Sequence, residues 1–274
     1  MPGFGESRRV AVLIRDPACR DRRGSAVPSR PSGARYTVRM SFGLSRGKQL
    51  NTAGFGIDIA DLPTFDPADP DGSRIDPRRW FDDPDRRLEL EIGSGKGAFL
   101  VQQAPLQPET NFLGIEVASE FYRYAADRMR RRQLTNVRML HADAGEFIRY
   151  RVPDSTVHVI HVYFSDPWPK KRHHKRRVVQ NATMQAFHRV LMQGGRVHLV
   201  TDHDDLWAWY EDHAARHAHL FERRAFKEPE SASDGELVGT NYERKFAREG
   251  RPFHGMTLVR RAVGAEPDDA AGGA

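Results

Sequence analysis

The chain has 274 residues, with 43 Lys and Arg against 37 Asp and Glu, a formal charge of +6 and a pI near 9.6. Its one cysteine, Cys19, excludes an internal disulfide and a thiolate metal cluster, and no stretch approaches the roughly 20 apolar residues of a membrane span. The length suits one sizeable core with appendages, the charge suits an anionic partner, and the first forty residues carry no continuous apolar leader, so the expected location is the cytoplasm.

Residues 1–36 are rich in Arg, Gly, Pro and Ser around one apolar run, Val10-Ala-Val-Leu-Ile14, and read as a disordered basic arm. Residues 37–87 form an extension. It begins with a basic piece carrying Arg39, Arg46 and Lys48. It continues as an acidic stretch with five prolines, read as a surface loop anchored on the core through Leu62, Phe65, Trp80 and Phe81. Residues 88–263 make up the main domain, and residues 264–274 a disordered tail.

Within the main domain strands and helices alternate. A strand over 88–92 runs into the glycine turn Gly93-Ser-Gly-Lys-Gly97 and a helix limited by Pro105. A second strand, 111–116, precedes a helix capped by Ser119 and extending to about Gln133, with Phe121, Tyr122, Ala125, Ala126 and Met129 on one face. The remaining strands are expected at 136–141, 156–164, 196–201 and 256–259. Helices are expected at 144–149, 174–192, 204–220 and 242–249, with Gly194-Gly195 and Gly250 as stops. The alternation argues an α/β fold with a mostly parallel sheet covered on both faces and ligands beyond the carboxyl ends of its strands.

Three of those strand ends carry acids. Glu91 precedes Gly93, Gly95 and Gly97; the spacing is neither Gly-x-Gly-x-x-Gly nor a phosphate loop. A carboxylate there would repel a pyrophosphate but suits the ammonium of an amino-acid-like cofactor. Glu116 is placed to accept ribose hydroxyls. Asp143 is placed to meet an adenine edge, or equally to cap the following helix. Together they suggest S-adenosylmethionine rather than NAD. The fourth strand ends in Asp166-Pro-Trp-Pro-Lys-Lys-Arg-His-His-Lys-Arg-Arg177, in which eight of twelve residues are basic or histidine. One carboxylate beside many cations suits an enzyme acting on a nucleic acid. Trp168 either stacks on a base or fills a core gap. His213 and His217 lie four apart, with no Glu between them and no third ligand; they read as surface histidines, and no metal site is expected.

These residues carry a resemblance. Over about 88–260 the chain resembles the bacterial tRNA (guanine-N7)-methyltransferases of the TrmB family, through Leu90-Glu-Ile-Gly-Ser-Gly-Lys-Gly97, Leu113-Gly-Ile-Glu116, the run from Asp166 to Arg177, Thr201-Asp202 and Thr240-Asn-Tyr-Glu243. The resemblance implies a Rossmann-like class I S-adenosylmethionine-dependent methyltransferase whose last strand is antiparallel. It implies methyl transfer to N7 of a variable-loop guanosine in tRNA, with no obligatory protein partner. Glu91, Glu116, Asp143 and Asp166 match the family's cofactor-associated acids, with Gly93, Gly95 and Gly97 at the same turn, and Asp166 also matches its catalytic position. Lys170, Asp202, Thr240, Asn241, Tyr242 and Glu243 match its substrate-binding positions. The family commonly has Lys and Phe where this chain has Asn241 and Tyr242, so Arg244 or Lys245 is a candidate replacement cation.

N7 of guanine has an available lone pair, so the chemistry needs alignment rather than a strong base. Asp166 then accepts hydrogen bonds from guanine or holds the cofactor amino group, while Lys171, Arg172, Lys175, Arg176 and Arg177 are candidate phosphate contacts. Thr240 and Glu243 also have capping-box spacing, which is a structural explanation in itself. The alternatives are an N-methyltransferase acting on another RNA site, a protein or a small molecule, and a non-catalytic RNA-binding module on a methyltransferase fold.

Overall fold

The computed structural model describes residues 49–262. The basic arm, most of the basic piece that follows it and the C-terminal tail lie outside the described residues. An eight-stranded sheet runs in the order β1-β4-β3-β2-β5-β6-β8-β7. The strands are β1 (Gly56–Asp58), β2 (Arg87–Ile92), β3 (Thr110–Glu116), β4 (Val137–His141), β5 (Val157–Tyr163), β6 (Leu191–Thr201), β7 (Phe221–Ala225) and β8 (His254–Arg260). Pairings from β1 to β6 are parallel, and β8 runs antiparallel to both β6 and β7. From β2 the chain builds outward through β3 and β4, then returns to lay β5 on the other side of β2. In parallel sheets such a reversal is where a crevice opens, here at the carboxyl ends of β2, which carries Glu91, and β5, which leads to Asp166.

Alternation along the strands explains the two covered faces. Leu88, Leu90, Ile160, Val162, Val197 and Leu199 point to one side, where they meet Phe147 of α3 (Ala144–Tyr150), Phe187 of α4 (Asn181–Val190) and Leu206 and Tyr210 of α5 (Asp204–Arg216). Phe112, Val137 and Met139 pack on Phe99 and Leu100 of α1 (Ala98–Gln103) and on Tyr122, Ala125 and Met129 of α2 (Ser119–Arg131). Each fully buried large side chain contributes about 1.5–3 kcal/mol.

Several elements differ from the sequence reading. The acidic segment is not all loop, because β1 pairs with β4 and Asp58 meets His141 Nδ1 at 2.8 Å. Three residues are too few to show periodicity. Part of the segment lies on α3: Trp80 stacks on Phe147 at 6.0 Å, and Ile75 N–H donates to the Arg151 carbonyl. The expected helix over 174–192 divides into a 3-10 turn (Lys171–Arg176), an extended link and α4, whose start is fixed by a reciprocal capping box between Gln180 and Thr183. Leu191 already belongs to β6, and Gly194 takes φ +71° where the β5–β6 register shifts. β7 carries too many charges to read as a strand. Ser119 is the first residue of α2 rather than its cap, and α6 spans Asn241–Ala247.

Gly97 shows why the glycine turn is specified. Its φ is +65°, and an added Cβ would overlap Met129 Cε and lie 3.3 Å from Ala125 Cβ. Left-handed strain and the overlap together should destabilise Gly97→Ala by about 1–3 kcal/mol. Chemical denaturation measures this as a lowered midpoint at unchanged slope, and an unchanged midpoint would contradict the packing argument.

Candidate active site

Glu91 leaves β2 with its residue 5% exposed, and its Oε2 has no hydrogen-bond partner among the described residues. Burial, reinforced by the nearby Glu116 charge and opposed by Ser94, pushes its pKa up to about 8. Gly93 and Gly95 follow with φ +73° and +52°, and no atom lies within 4 Å of where their Cβ atoms would stand. The turn therefore faces open space. Gly93 N–H donates to the Ile115 carbonyl at 2.9 Å, tying the turn to β3.

Glu116 is buried at the end of β3. Its Oε2 accepts from Gly95 N–H at 2.8 Å, and its Oε1 accepts from Ala118 N–H at 2.8 Å. It thereby supports the glycine turn and the entrance to α2, and each oxygen keeps acceptor capacity for a ribose hydroxyl. Asp143 is exposed and caps α3, accepting from Glu146 N–H at 2.9 Å. That is the structural half of its two expected roles.

Asp166 is exposed beyond β5. Two non-glycine residues with positive φ bracket it, Phe164 at 53° and Trp168 at 42°. Such conformations persist where surroundings over-determine them. Here Pro167 O accepts from Arg177 Nε at 2.9 Å, and the Arg176 guanidinium lies 4.8 Å from the Trp168 ring. Trp168 thus stands half-buried under a cation instead of filling the core.

The basic run divides. Lys170, Lys171, Arg172, Lys175 and Arg176 are exposed. Arg177 is 3% exposed, pairs with Asp205 and lies 4.9 Å over the Trp209 ring. Its expected place among the phosphate contacts is corrected: it clamps the Asp166 turn to α5.

The 240–243 motif is also turned to structure. Thr240 caps α6 by accepting from Glu243 N–H at 3.1 Å. The Glu243 carboxylate is buried and accepts from the N–H groups of Leu237, Val238 and Gly239, not from Thr240 as a full capping box would require. Its geometry is that of a loop fastener. The Asn241 and Lys245 side chains lie outside the described set. Arg244, one of the two candidate replacement cations, is paired with Glu236 at 2.5 Å. Tyr242 is 42% exposed, 5.1 Å from the Phe164 ring and 4.4 Å from Phe246; burial of its hydroxyl and the Asp202 charge raise its pKa. The Asp202 carboxylate is covered by Arg251, which sequence reasoning missed; its place directly after the Gly250 helix stop was the available signal. His213 and His217 are buried, not superficial, and their Nδ1 atoms meet the Trp209 and His213 carbonyls at 2.9 and 2.8 Å.

A family model described as "Putative methyltransferase" matches residues 85–256. The tRNA (guanine-N(7)-)-methyltransferase of Alkalilimnicola ehrlichii is 38% identical over 194 residues, covering 70% of this chain and 76% of that protein. The protein of the same name from Halorhodospira halophila is 33% identical over 235 residues, covering 83% and 95%. This chain belongs to the tRNA (guanine-N(7)-)-methyltransferase family. Membership makes it an S-adenosylmethionine-dependent methyltransferase of class I fold. A third relative, from Geobacillus thermodenitrificans, is 32% identical across 74% of this chain and 92% of its own. A solved aminoglycoside resistance methyltransferase covers 64% of this chain and 87% of its own at 16% identity, with a TM-score of 0.46.

The site's residues fit the family's cofactor. The unpaired Glu91 Oε2 is a buried acceptor awaiting a donor, and the space over Gly93 and Gly95 admits a ligand close to the backbone.

Two predictions follow from burial. Glu91 has a folded pKa raised from 4.5 to about 8, so the folded state binds the extra proton between those values and stability falls as pH rises through that window. Glu91→Gln should stabilise the cofactor-free protein by on the order of a few kcal/mol at pH 8, with the gain vanishing near pH 5, while weakening S-adenosylmethionine binding at least about tenfold. Thermal melts across pH and calorimetry check both, and a gain independent of pH would contradict the assignment. Separately, Arg177→Ala should destabilise the fold by about 1–3 kcal/mol, whereas Lys171→Ala/Arg172→Ala/Arg176→Ala should leave unfolding nearly unchanged and flatten the salt dependence of tRNA binding. Parallel salt slopes for wild type and the triple variant would make the exposed run a merely solvated face.

Proposed function

We propose that the enzyme transfers the methyl group of S-adenosylmethionine to N7 of a guanosine in tRNA, in the cytoplasm, with the variable-loop guanosine as target. The observation that carries the reading is the arrangement of the two acids at the crevice: a buried, unpaired Glu91 inside and an exposed Asp166 at its mouth, with exposed cations following the latter. The tRNA substrate is taken from the relatives. Among the described residues, no helix is long and apolar enough to cross a membrane.

The buried carboxylate of Glu91 receives the cofactor's ammonium, because its desolvated oxygen lacks a donor. Glu116 accepts the ribose hydroxyls while retaining the turn, and Asp143 faces the adenine edge from the head of α3. The bound cofactor supplies an electrophilic methyl on a sulfonium. With Glu91 serving the ammonium, Asp166 is left for the base, accepting from guanine N1–H and the exocyclic amine and offsetting the positive charge that grows on the purine. No group need remove a proton before attack, since the N7 lone pair is already free. Lys170, exposed four residues after Asp166, and Tyr242, half-exposed over Phe164 and Phe246, flank the base. Lys171, Arg172, Lys175 and Arg176 hold backbone phosphates without reading sequence.

The direct test incubates the protein with labelled S-adenosylmethionine and total tRNA and maps the label. N7-methylguanosine in tRNA is expected; label on another RNA position, on protein or on small molecules would replace the reading. Asp166→Asn should lower the single-turnover rate about 100- to 1,000-fold with both substrates saturating, leaving cofactor and tRNA affinity within about threefold. A wild-type rate would remove Asp166 from the chemistry.

A further inference from the structure

Asp202 follows β6 at the mouth of the crevice, yet its side chain is 7% exposed. What covers it is Arg251, whose Nη1 donates to Asp202 Oδ2 at 2.9 Å and whose Nη2 lies 3.3 Å from Glu249. The guanidinium also lies 3.8 Å from the centroid of Phe246, the ring that packs against Tyr242. Its position is fixed by backbone. Gly250 turns out of α6 with φ +71°, Arg251 N–H donates to the Phe246 carbonyl at 3.3 Å, and β8 begins three residues later with His254 paired to Thr201. The Arg251 side chain is still 43% exposed.

A carboxylate so occupied is poorly placed to meet a nucleobase or ribose. A guanidinium with five donors in a rigid fork, oriented by one carboxylate and stacked on one ring, is well placed to receive an anion on its open edge. The surroundings require such a cation. Asp166, Asp202 and Glu249 bring negative charge to the path of an RNA backbone, and Arg244 is already paired with Glu236.

We propose that Arg251 holds the phosphodiester of the target nucleotide and that Asp202 acts through it, as a positioning residue for the guanidinium rather than as a direct contact to the base. The proposal rests on tRNA being the substrate. It assigns the grip at this wall of the crevice to a residue between α6 and β8, separate in sequence from the basic run after Asp166.

The test measures tRNA binding against salt, single-turnover methyl transfer, cofactor affinity and thermal unfolding for Arg251→Ala, Arg251→Lys, Asp202→Asn and the double variant Arg251→Ala/Asp202→Asn. Arg251→Ala should weaken tRNA binding roughly tenfold and reduce the log–log salt slope by roughly 0.7–0.9, with cofactor affinity unchanged. Arg251→Lys should restore the slope but only part of the affinity, because an ammonium lacks the fork. Asp202→Asn should weaken binding less and keep most of the slope, since the cation remains. The double variant should match Arg251→Ala alone in tRNA affinity and salt slope, because the other partner of Asp202 is the Tyr242 hydroxyl, a contact within the protein and not to RNA. Additive losses, or a further fall in transfer rate at saturating tRNA in the double variant, would restore a direct role to Asp202 and overturn the proposal. So would a wild-type salt slope in Arg251→Ala, including the case where only its melting temperature falls. If Arg251→Ala does not fold, the comparison of Arg251→Lys with Arg251→Gln carries the same decision. Failure of the wild-type protein to methylate tRNA would count against the substrate reading instead, and the binding slopes would remain interpretable.

Discussion

Keeping the Glu91 carboxyl out of water with one oxygen unpaired is the constraint around which the cleft is arranged, because a buried acid without a donor stays neutral until something cationic arrives. The fold holds that condition from several sides. The glycine turn passes over the acid with left-handed residues that leave space above Gly93 and Gly95. Glu116 fixes the turn from β3 through Gly95 N–H. Below Glu91, the same face of the sheet is polar and self-satisfied: Glu89 Oε2 meets His161 Nε2 at 2.9 Å, and His161 Nδ1 meets the Tyr163 hydroxyl at 2.7 Å. Burial, with the Glu89 and Glu91 charges, raises the Tyr163 pKa, and burial brings His198 down to about 3. Polar side chains in this part of the sheet therefore stand in hydrogen-bonded pairs, and Glu91 keeps an open valence beside the cleft.

A second theme is that charge near the cleft is sorted by burial. Arg177 and Glu243 carry motif positions of the family, yet both are withdrawn from solvent and spent on local structure, one clamping Pro167 to α5 and the other gathering three backbone N–H groups. Breaking either leaves buried polar groups unsatisfied, which costs more than the net gain of forming the contact. The exposed members of the same motifs, Asp166, Lys170, Arg176 and Tyr242, are those free to meet a substrate. Arg251 is intermediate, partly exposed and partly engaged, which is the condition a mobile RNA phosphate can exploit.

The strand-and-helix succession of β2 to β6, the glycine turn and the acids at the strand ends were legible in the chain because each rests on local rules: short apolar runs, buried on both faces and bounded by turn residues, a backbone needing positive φ, and a carboxylate closing a hydrophobic run. The antiparallel last strand came with the family resemblance, whereas the strand-end acids by themselves already suggested S-adenosylmethionine. Short or charged strands such as β1 and β7 were not legible, since their stability comes from neighbours distant in sequence. The helix expected over 174–192 was misplaced because apolar Val178 and Val179 fit either an extended link or a helix until packing decides.

Sequence alone determined which residues were available for chemistry, Glu91, Glu116, Asp143 and Asp166 among them, and that they would gather at one edge of a parallel sheet. Only the tertiary structure decided their states. Glu91 lost its water while Asp166 kept it; Arg177 turned inward while Arg176 stayed out; Arg251, forty-nine residues from Asp202, arrived over its carboxylate. Desolvation and through-space pairing depend on what packs against a side chain, and that information is spread over the whole chain rather than held in any motif.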